Sequence, residues 1–354
     1  MTDATTAEAV AAALVPMARL ASLRAVPWRQ AVIGQSRDGR LIHGVIAGRG
    51  ELRVSIVAGA HADEPAGTMA AVELLHRVAG EGWGEFATWY VCPQINPDGA
   101  QRNARWISQP LDLSRYLRHA VREEPGDDIE FGYPDPDRPD ARPRPENLAV
   151  AEFLRPAAPF HLHASLHGMA FAEGAWWLIG KDWAPRSAPL RAHIARVFAR
   201  HGLPLHDIDR NGEKGFQRIE PGFCTTPTAV AMREFFHAQG DPATAAQFLP
   251  SSMEYVRGLG GDPLVMVSEL PLFLIRGGQQ PGDTLCGENP YTRLRARMKE
   301  ARSALAKGDG ELRRKLEAEF SLAPLALETQ VSALCDAIQA AIGFLIETRK
   351  ELHP

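Results

Sequence analysis

An α/β fold is what this sequence predicts, and three observations predict it. Short β-branched runs alternate with helix-spaced segments, and Gly and Pro signals separate the units. The runs "LRVSIVAGA" and "PLVMVSELPLFLI" are predominantly apolar, as in strands covered on both faces, so helices must lie above and below the sheet. The chain has 354 residues, 45% hydrophobic and 23% charged. That suffices for one large core and an appended element.

The elements follow in chain order. Residues 1–27 read as an N-terminal amphipathic helix that ends before Pro27. Asp3 and Glu8 precede a short, Ala-rich apolar stretch, which is not the basic start and unbroken apolar run of an export signal. No uncharged apolar window of about 18 residues stands out, so no membrane span is expected and the cytoplasm is the expected location. Residues 28–286 read as the main domain. Within it "QAVIGQSRDGRLIHGVIAG" is a hairpin around Asp38-Gly39, "LRVSIVAGA" a buried strand, Pro65 to Val78 a helix and "FATWYVCPQI" a further strand. Residues 122–146, rich in Pro, Asp and Arg, form an exposed loop that is either a solvated connector or the rim of a site. "ENLAVAEFLR" resumes a helix and "FHLHASLH" a strand; further strands and an amphipathic helix near 187–201 follow. Residues 287–354 change character into amphipathic stretches broken by Gly/Asp and by Pro324. They read as a helical appendage that packs on the core or mediates homo-oligomer formation.

A formal charge of -4 without a Lys/Arg run speaks against a nucleic-acid surface. Cys92, Cys224, Cys286 and Cys335 lie far apart with no CxxC spacing and read as reduced thiols.

The strongest chemical signal is His61-Ala62-Asp63-Glu64 between a buried strand and a helix. In open α/β sheets the reactive site lies outside the carboxyl ends of strands, where His61 falls. An imidazole and a carboxylate three residues apart in a tight turn can reach one cation, and zinc accepts both. A catalytic zinc needs a third protein ligand. "FHLHASLHGMAF" offers His161, His163 and His167 on one face of a strand. His167 stands last, before Gly168, and matches the position of His61; His161 and His163 read as structural groups or as partners of a ligand. Metal-assisted hydrolysis also needs a base. Glu269, in the apolar strand "VMVSELPLF", is costly to bury without a task or an ion-pair partner.

The order "GAHADEPAG", "INPDGAQRNAR", "LDLSR", "SLHG", "VSELP" resembles the zinc carboxypeptidase family, which includes carboxypeptidase A, over roughly residues 28–275. More distantly it is similar to the succinylglutamate desuccinylase and aspartoacylase group. The resemblance implies a mixed, largely parallel sheet of the eight-stranded type flanked by helices, with the helical tail outside it. It implies Zn2+ held by His61, Glu64 and His167, and Glu269 as the water-activating base. Arg105 would polarise the scissile carbonyl, with Arg102 close enough to compete, and Arg115 would clamp a substrate carboxylate. Two departures stand out. Ser114 occupies the place where the family usually has Asn before the clamping arginine, and the family's mobile tyrosine transfers neither to Phe248 nor to Tyr255. In that register Met253 lines the specificity pocket and favours an apolar side chain. The implied activity is hydrolysis of a peptide or amide bond beside a substrate carboxylate. The alternatives are removal of an acyl group from a small amino acid and a non-catalytic binding protein on the same scaffold.

Overall fold

The computed structural model describes residues 28–107 and 111–352; the helix expected within 1–27 lies outside the described residues. Ten strands form one sheet: β1 (Trp28–Gln35), β2 (Leu41–Ala47), β3 (Leu52–Ala58), β4 (Ala87–Cys92), β5 (Leu162–Ala172), β6 (Trp176–Ile179), β7 (Arg218–Glu220), β8 (Phe223–Thr225), β9 (Leu264–Leu274) and β10 (Ala323–Pro324). Their spatial order is β1-β2-β4-β3-β5-β9-β6-β8-β7, with β10 paired to β9. The centre, β4-β3-β5-β9, is parallel, and β1, β2, β6 and β7 each have an antiparallel neighbour. The sheet is mixed and largely parallel at its centre, as expected. The count exceeds eight partly through β7 and β10, which are too short to leave a periodic pattern.

Among the described residues ten main helices accompany the sheet: α1 (Pro65–Gly80), α2 (Pro97–Asn103), α3 (Leu113–His119), α4 (Pro145–Leu154), α5 (Ala188–Arg200), α6 (Ala229–Ala238), α7 (Ser252–Gly258), α8 (Pro290–Ala306), α9 (Glu311–Glu319) and α10 (Leu327–Leu352). Local chemistry starts them. Pro65 opens α1, where its missing N–H costs nothing. Asn96 caps α2 by accepting from the Gly99 N–H at 2.9 Å, and Asp112 caps α3 by accepting from the Arg115 N–H at 2.7 Å. The buried residues Ala66, Ala70, Leu74 and Val78 give α1 a stripe at helical spacing that packs on the sheet. At Gly67 a Cβ would stand 2.2 Å from the Leu166 carbonyl oxygen, so only glycine lets α1 lie this close to β5.

The segment after Gly287 joins the same core. Ala333, Leu334, Ile338 and Ala341 of α10 are completely buried in the cluster that holds Ile56 of β3 and Leu74 of α1. By length and composition alone, Leu327–Arg349 could cross a membrane; 56% of its apolar window is buried, and the helix packs on α1 and α5. Packing in the core accounts for its apolar character.

The chain leaves β3 for β4 on one side and returns to β5 on the other, which opens a crevice at the carboxyl ends of β3 and β5. Pairing of β3 with β5 stops at Ala58 and Leu166, whereas β5 continues beside β9 to Ala172. His167 is therefore not the end of its strand but its first residue beyond the shorter neighbour.

Candidate metal centre

His61 follows β3 in a short turn, Glu64 precedes the first helical residue of α1, and His167 projects from β5 into the crevice between them. Their donor atoms converge. His61 Nδ1 lies 3.0 and 3.1 Å from the two Glu64 carboxylate oxygens and 2.9 Å from His167 Nδ1. His167 Nδ1 lies 3.0 Å from Glu64 Oε2. A tetrahedral ion with bonds of ~2.0–2.1 Å separates its ligands by about 3.3 Å, so a small outward adjustment of the three donors admits an ion at the centre of this triangle. These are the three potential metal donors grouped among the described residues.

The outer nitrogens each face a carboxylate, which favours the tautomer protonated at Nε2. His61 Nε2 donates to Asp128, at 3.2 Å from Oδ1, and His167 Nε2 donates to Glu130 Oε2 at 2.9 Å. With the ring protons held there, both Nδ1 lone pairs and the Glu64 carboxylate face one another. Three acceptors at this separation repel unless a cation lies between them. The Zn2+ expected from the sequence suits the two nitrogens and one oxygen.

The electrostatics favour a positive occupant. Burial and the Arg122 guanidinium both push His61 toward its neutral form, yet the Glu64 and Asp128 carboxylates outweigh them and raise it to about 9. Burial likewise opposes the charged form of His167, but hydrogen bonds to Glu130 and Glu64 hold it well above the usual imidazole range. Burial would raise Asp128; the charge of His61 and its hydrogen bond carry it down to about 2. Glu64 is further fixed by Arg122 Nη1, which donates to Oε1 at 2.9 Å, and by the Gly168 N–H, which donates to Oε2 at 3.1 Å.

Glu269 stands beside His167 in register on the adjacent parallel strand β9, so both point to the same face of the sheet. Burial and the Glu64 carboxylate push its carboxyl up to about 8, against the pull of His167, His61 and Arg122. It opens on a cavity of about 520 Å³ that also meets His61, His167, Arg122 and Met253. This volume lies within the usual range for small-ligand sites.

Two sequence-predicted residues are elsewhere. Arg105 and Arg115 are exposed and do not line the cavity. Trp106 and Ile107 take the inward positions after α2 and leave Arg105 in solvent. On α3 the inward face is Leu113, Tyr116 and Leu117, which turns Arg115 outward; Ser114, half-buried, is likewise not part of the lining. Arg122 stands at the cavity instead. Its backbone is set by Asn103, whose side chain exchanges hydrogen bonds of 2.8 and 2.9 Å with the main chain of Val121. Met253 is buried and lines the cavity.

The sequence also concealed Asp128 and Glu130. The segment 122–146 is a rim rather than a solvated connector where it carries these residues: Ile129, Glu130 and Phe131 are buried. The available signal was the apolar pair Ile129 and Phe131 flanking an acid inside a Pro-rich run. His163 is completely buried, and its Nε2 meets Ser252 Oγ at 3.0 Å while that hydroxyl donates to Glu130 Oε1 at 2.7 Å. It thus braces Glu130 and, through it, His167. His161 bonds the Arg53 N–H and Arg349 at the far end of the strand, a structural role.

Fold and site together define an α/β protein with a candidate His-Glu-His metal site at a sheet crevice. Residues 27–173 match the family described as zinc carboxypeptidase. The match contains all three metal donors. Solved structures extend the likeness of fold to nearly the whole chain. A candidate metallopeptidase from Shewanella amazonensis SB2B shares 14% identity at a TM-score of 0.54, covering 97% of this chain and 94% of its own. A second, from Shewanella denitrificans OS217, shares 13% at 0.53, covering 96% and 90%. Bovine thrombin-activatable fibrinolysis inhibitor, solved with tick carboxypeptidase inhibitor, shares 12% at 0.50, covering 96% of each chain. No curated protein matches the chain.

Proposed function

We propose that this protein is a zinc-dependent hydrolase that cleaves a peptide or amide bond beside a substrate carboxylate. One observation carries the reading: two imidazoles and a carboxylate converge on a single point with a second carboxylate, Glu269, beside them in a cavity. Zn2+ held by His61, Glu64 and His167 would supply Lewis acidity for the carbonyl and lower the pKa of water. Glu269 is placed to take the proton of the attacking water and to pass it to the leaving amine. Arg122 contributes a guanidinium at the cavity in the place the sequence resemblance gave to Arg105, so developing negative charge on the carbonyl oxygen has a cation near it. Arg122 also holds Glu64 in the orientation that presents Oε2 to His167. Met253 and the surrounding apolar wall support acceptance of an apolar side chain.

The test is Glu269→Gln. The variant should retain stoichiometric zinc by elemental analysis and lose roughly 10²–10⁴-fold in kcat on N-benzoylglycyl dipeptide analogues. Full turnover with zinc bound would remove Glu269 from the chemistry. A cavity of this size also admits a small N-acyl amino acid. Parallel assays on acetyl- and succinyl-amino acids therefore separate peptidase from deacylase, and zinc binding without turnover on either set would favour a binding protein. The four free cysteines support a reducing compartment such as the cytoplasm.

A further inference from the structure

The cavity holds more positive charge than the proposed chemistry uses. Besides Arg122, its lining includes Arg210, Lys214 and Arg295. Arg210 is satisfied in part, since Nη2 donates to Glu213 Oε1 at 2.6 Å and the guanidinium stacks 4.2 Å from the Phe216 ring. Lys214 differs. Among the described residues it makes no ion pair, and its ammonium lies over two aromatic rings, 4.5 Å from Phe235 and 5.6 Å from Phe236. Arg295 likewise has no carboxylate partner among the described residues.

Backbone and helix geometry aim these groups. The loop 211–215 carries positive φ at Asn211, Gly212, Lys214 and Gly215, so Lys214 adopts a left-handed conformation that side chains avoid without compensation. Asp209 N–H donates to the Leu285 carbonyl at 2.9 Å and ties this loop to the chain just before α8. On α8, Tyr291 and Arg295 are four residues apart and share one face, and both line the cavity. On α6, Met232 and Phe236 do the same from the other side. The helical tail is therefore part of the cavity wall.

We propose that Lys214 and Arg295, flanked by Arg210, form the subsite that anchors the carboxylate of the substrate, in place of Arg115. This rests on the hydrolase reading above and names the ligand chemistry of that site: a free carboxylate attached to an apolar group. A half-buried ammonium against aromatic rings is costly without a counter-ion, and a carboxylate entering the cavity supplies one. The apolar wall of Phe216, Phe236 and Met253 receives the attached group. Arg115 is exposed on α3 and is not among the residues that line the cavity.

Calorimetric titration of the zinc-loaded full chain with 3-phenylpropanoate and with 3-phenylpropanamide tests the assignment. The acid should bind and the neutral amide should bind at least roughly ten-fold more weakly. Lys214→Met, which keeps the aliphatic stem on the rings, should weaken the acid roughly ten- to a hundred-fold and leave the amide unchanged; Lys214→Arg should restore most of the affinity. Arg295→Ala should weaken the acid, and Arg115→Ala should not. Acid and amide binding equally, wild-type affinity in both Lys214→Met and Arg295→Ala, or loss confined to Arg115→Ala would each overturn the proposal. Lysine-dependent binding without turnover of any amide would uphold the subsite and count against the hydrolase reading alone.

Discussion

At the scale of single residues, the decisive groups are those that hold the ligands rather than the ligands themselves. Asp128 and Glu130 fix the imidazoles with Nδ1 inward, so Asp128→Asn and Glu130→Gln should each lower zinc affinity roughly 10–100-fold while the fold persists. Competition with a chromophoric chelator measures this, and unchanged affinity in both variants would mean the rings are oriented by something else. His163 adds a pH signature. Burial, opposed only in part by Glu130, lowers it from 6.5 to about 4, so the unfolded chain takes up a proton in that interval that the folded chain refuses. Its contribution is complete above pH 6.5 and is lost as pH falls to about 4, on the order of 3 kcal/mol. Denaturant titrations of His163→Gln should show a shallower fall in stability across that window than wild type. The convergence of His61, Glu64, His167 and Glu269 was legible in the sequence because a histidine just after a buried strand, a histidine within one and a lone acid in an apolar strand depart from ordinary burial rules. Arg122 was not, because an arginine in a Pro- and Asp-rich run looks like any solvated charge. That Arg105 and Arg115 stand outside the cavity lining was not legible either, because motif order does not say which face of a short helix is buried.

At the scale of elements, the contact between α1 and β5 sets the distance between Glu64 and His167. Gly67 allows it, and Gly67→Ala would drive a methyl group into the Leu166 carbonyl oxygen. The expected result is a loss of about 1–3 kcal/mol in stability together with weaker zinc binding, read by thermal denaturation and by metal titration of the same sample. Wild-type values for both would show that α1 can shift without disturbing the centre. Strands β1 to β5 and β9 could be read from their apolar runs, and α1, α4 and α5 from their periodicity. The seven-residue helices α2, α3 and α7 could not, because two turns offer too few positions to establish a period. Their beginnings are written instead in the caps Asn96, Asp112 and Ser251.

At the scale of the whole molecule, residues 287–354 are continuous with the core and with the cavity. Leu294, Leu316, Phe320 and Ile338 are completely buried, so a chain ending at Gly287 would expose the surface of α1, α5 and β9 that they cover. That truncation should give an aggregating species without near-ultraviolet circular dichroism; a well-packed monomer with bound zinc would show the tail to be dispensable. The sequence marked this region by its change of composition, but amphipathic helices look alike whether they pack inward on their own sheet or outward on a second copy. Because α10 backs the helix that begins at Glu64, and α8 contributes Tyr291 and Arg295, a chain still emerging from the ribosome has its metal donors long before it has a finished pocket. Synthesis at about 5–20 residues per second puts roughly ten to forty seconds between His167 and the end of α10. Two groups of the cavity wall, Tyr291 and Arg295, are therefore made only after all three candidate metal donors.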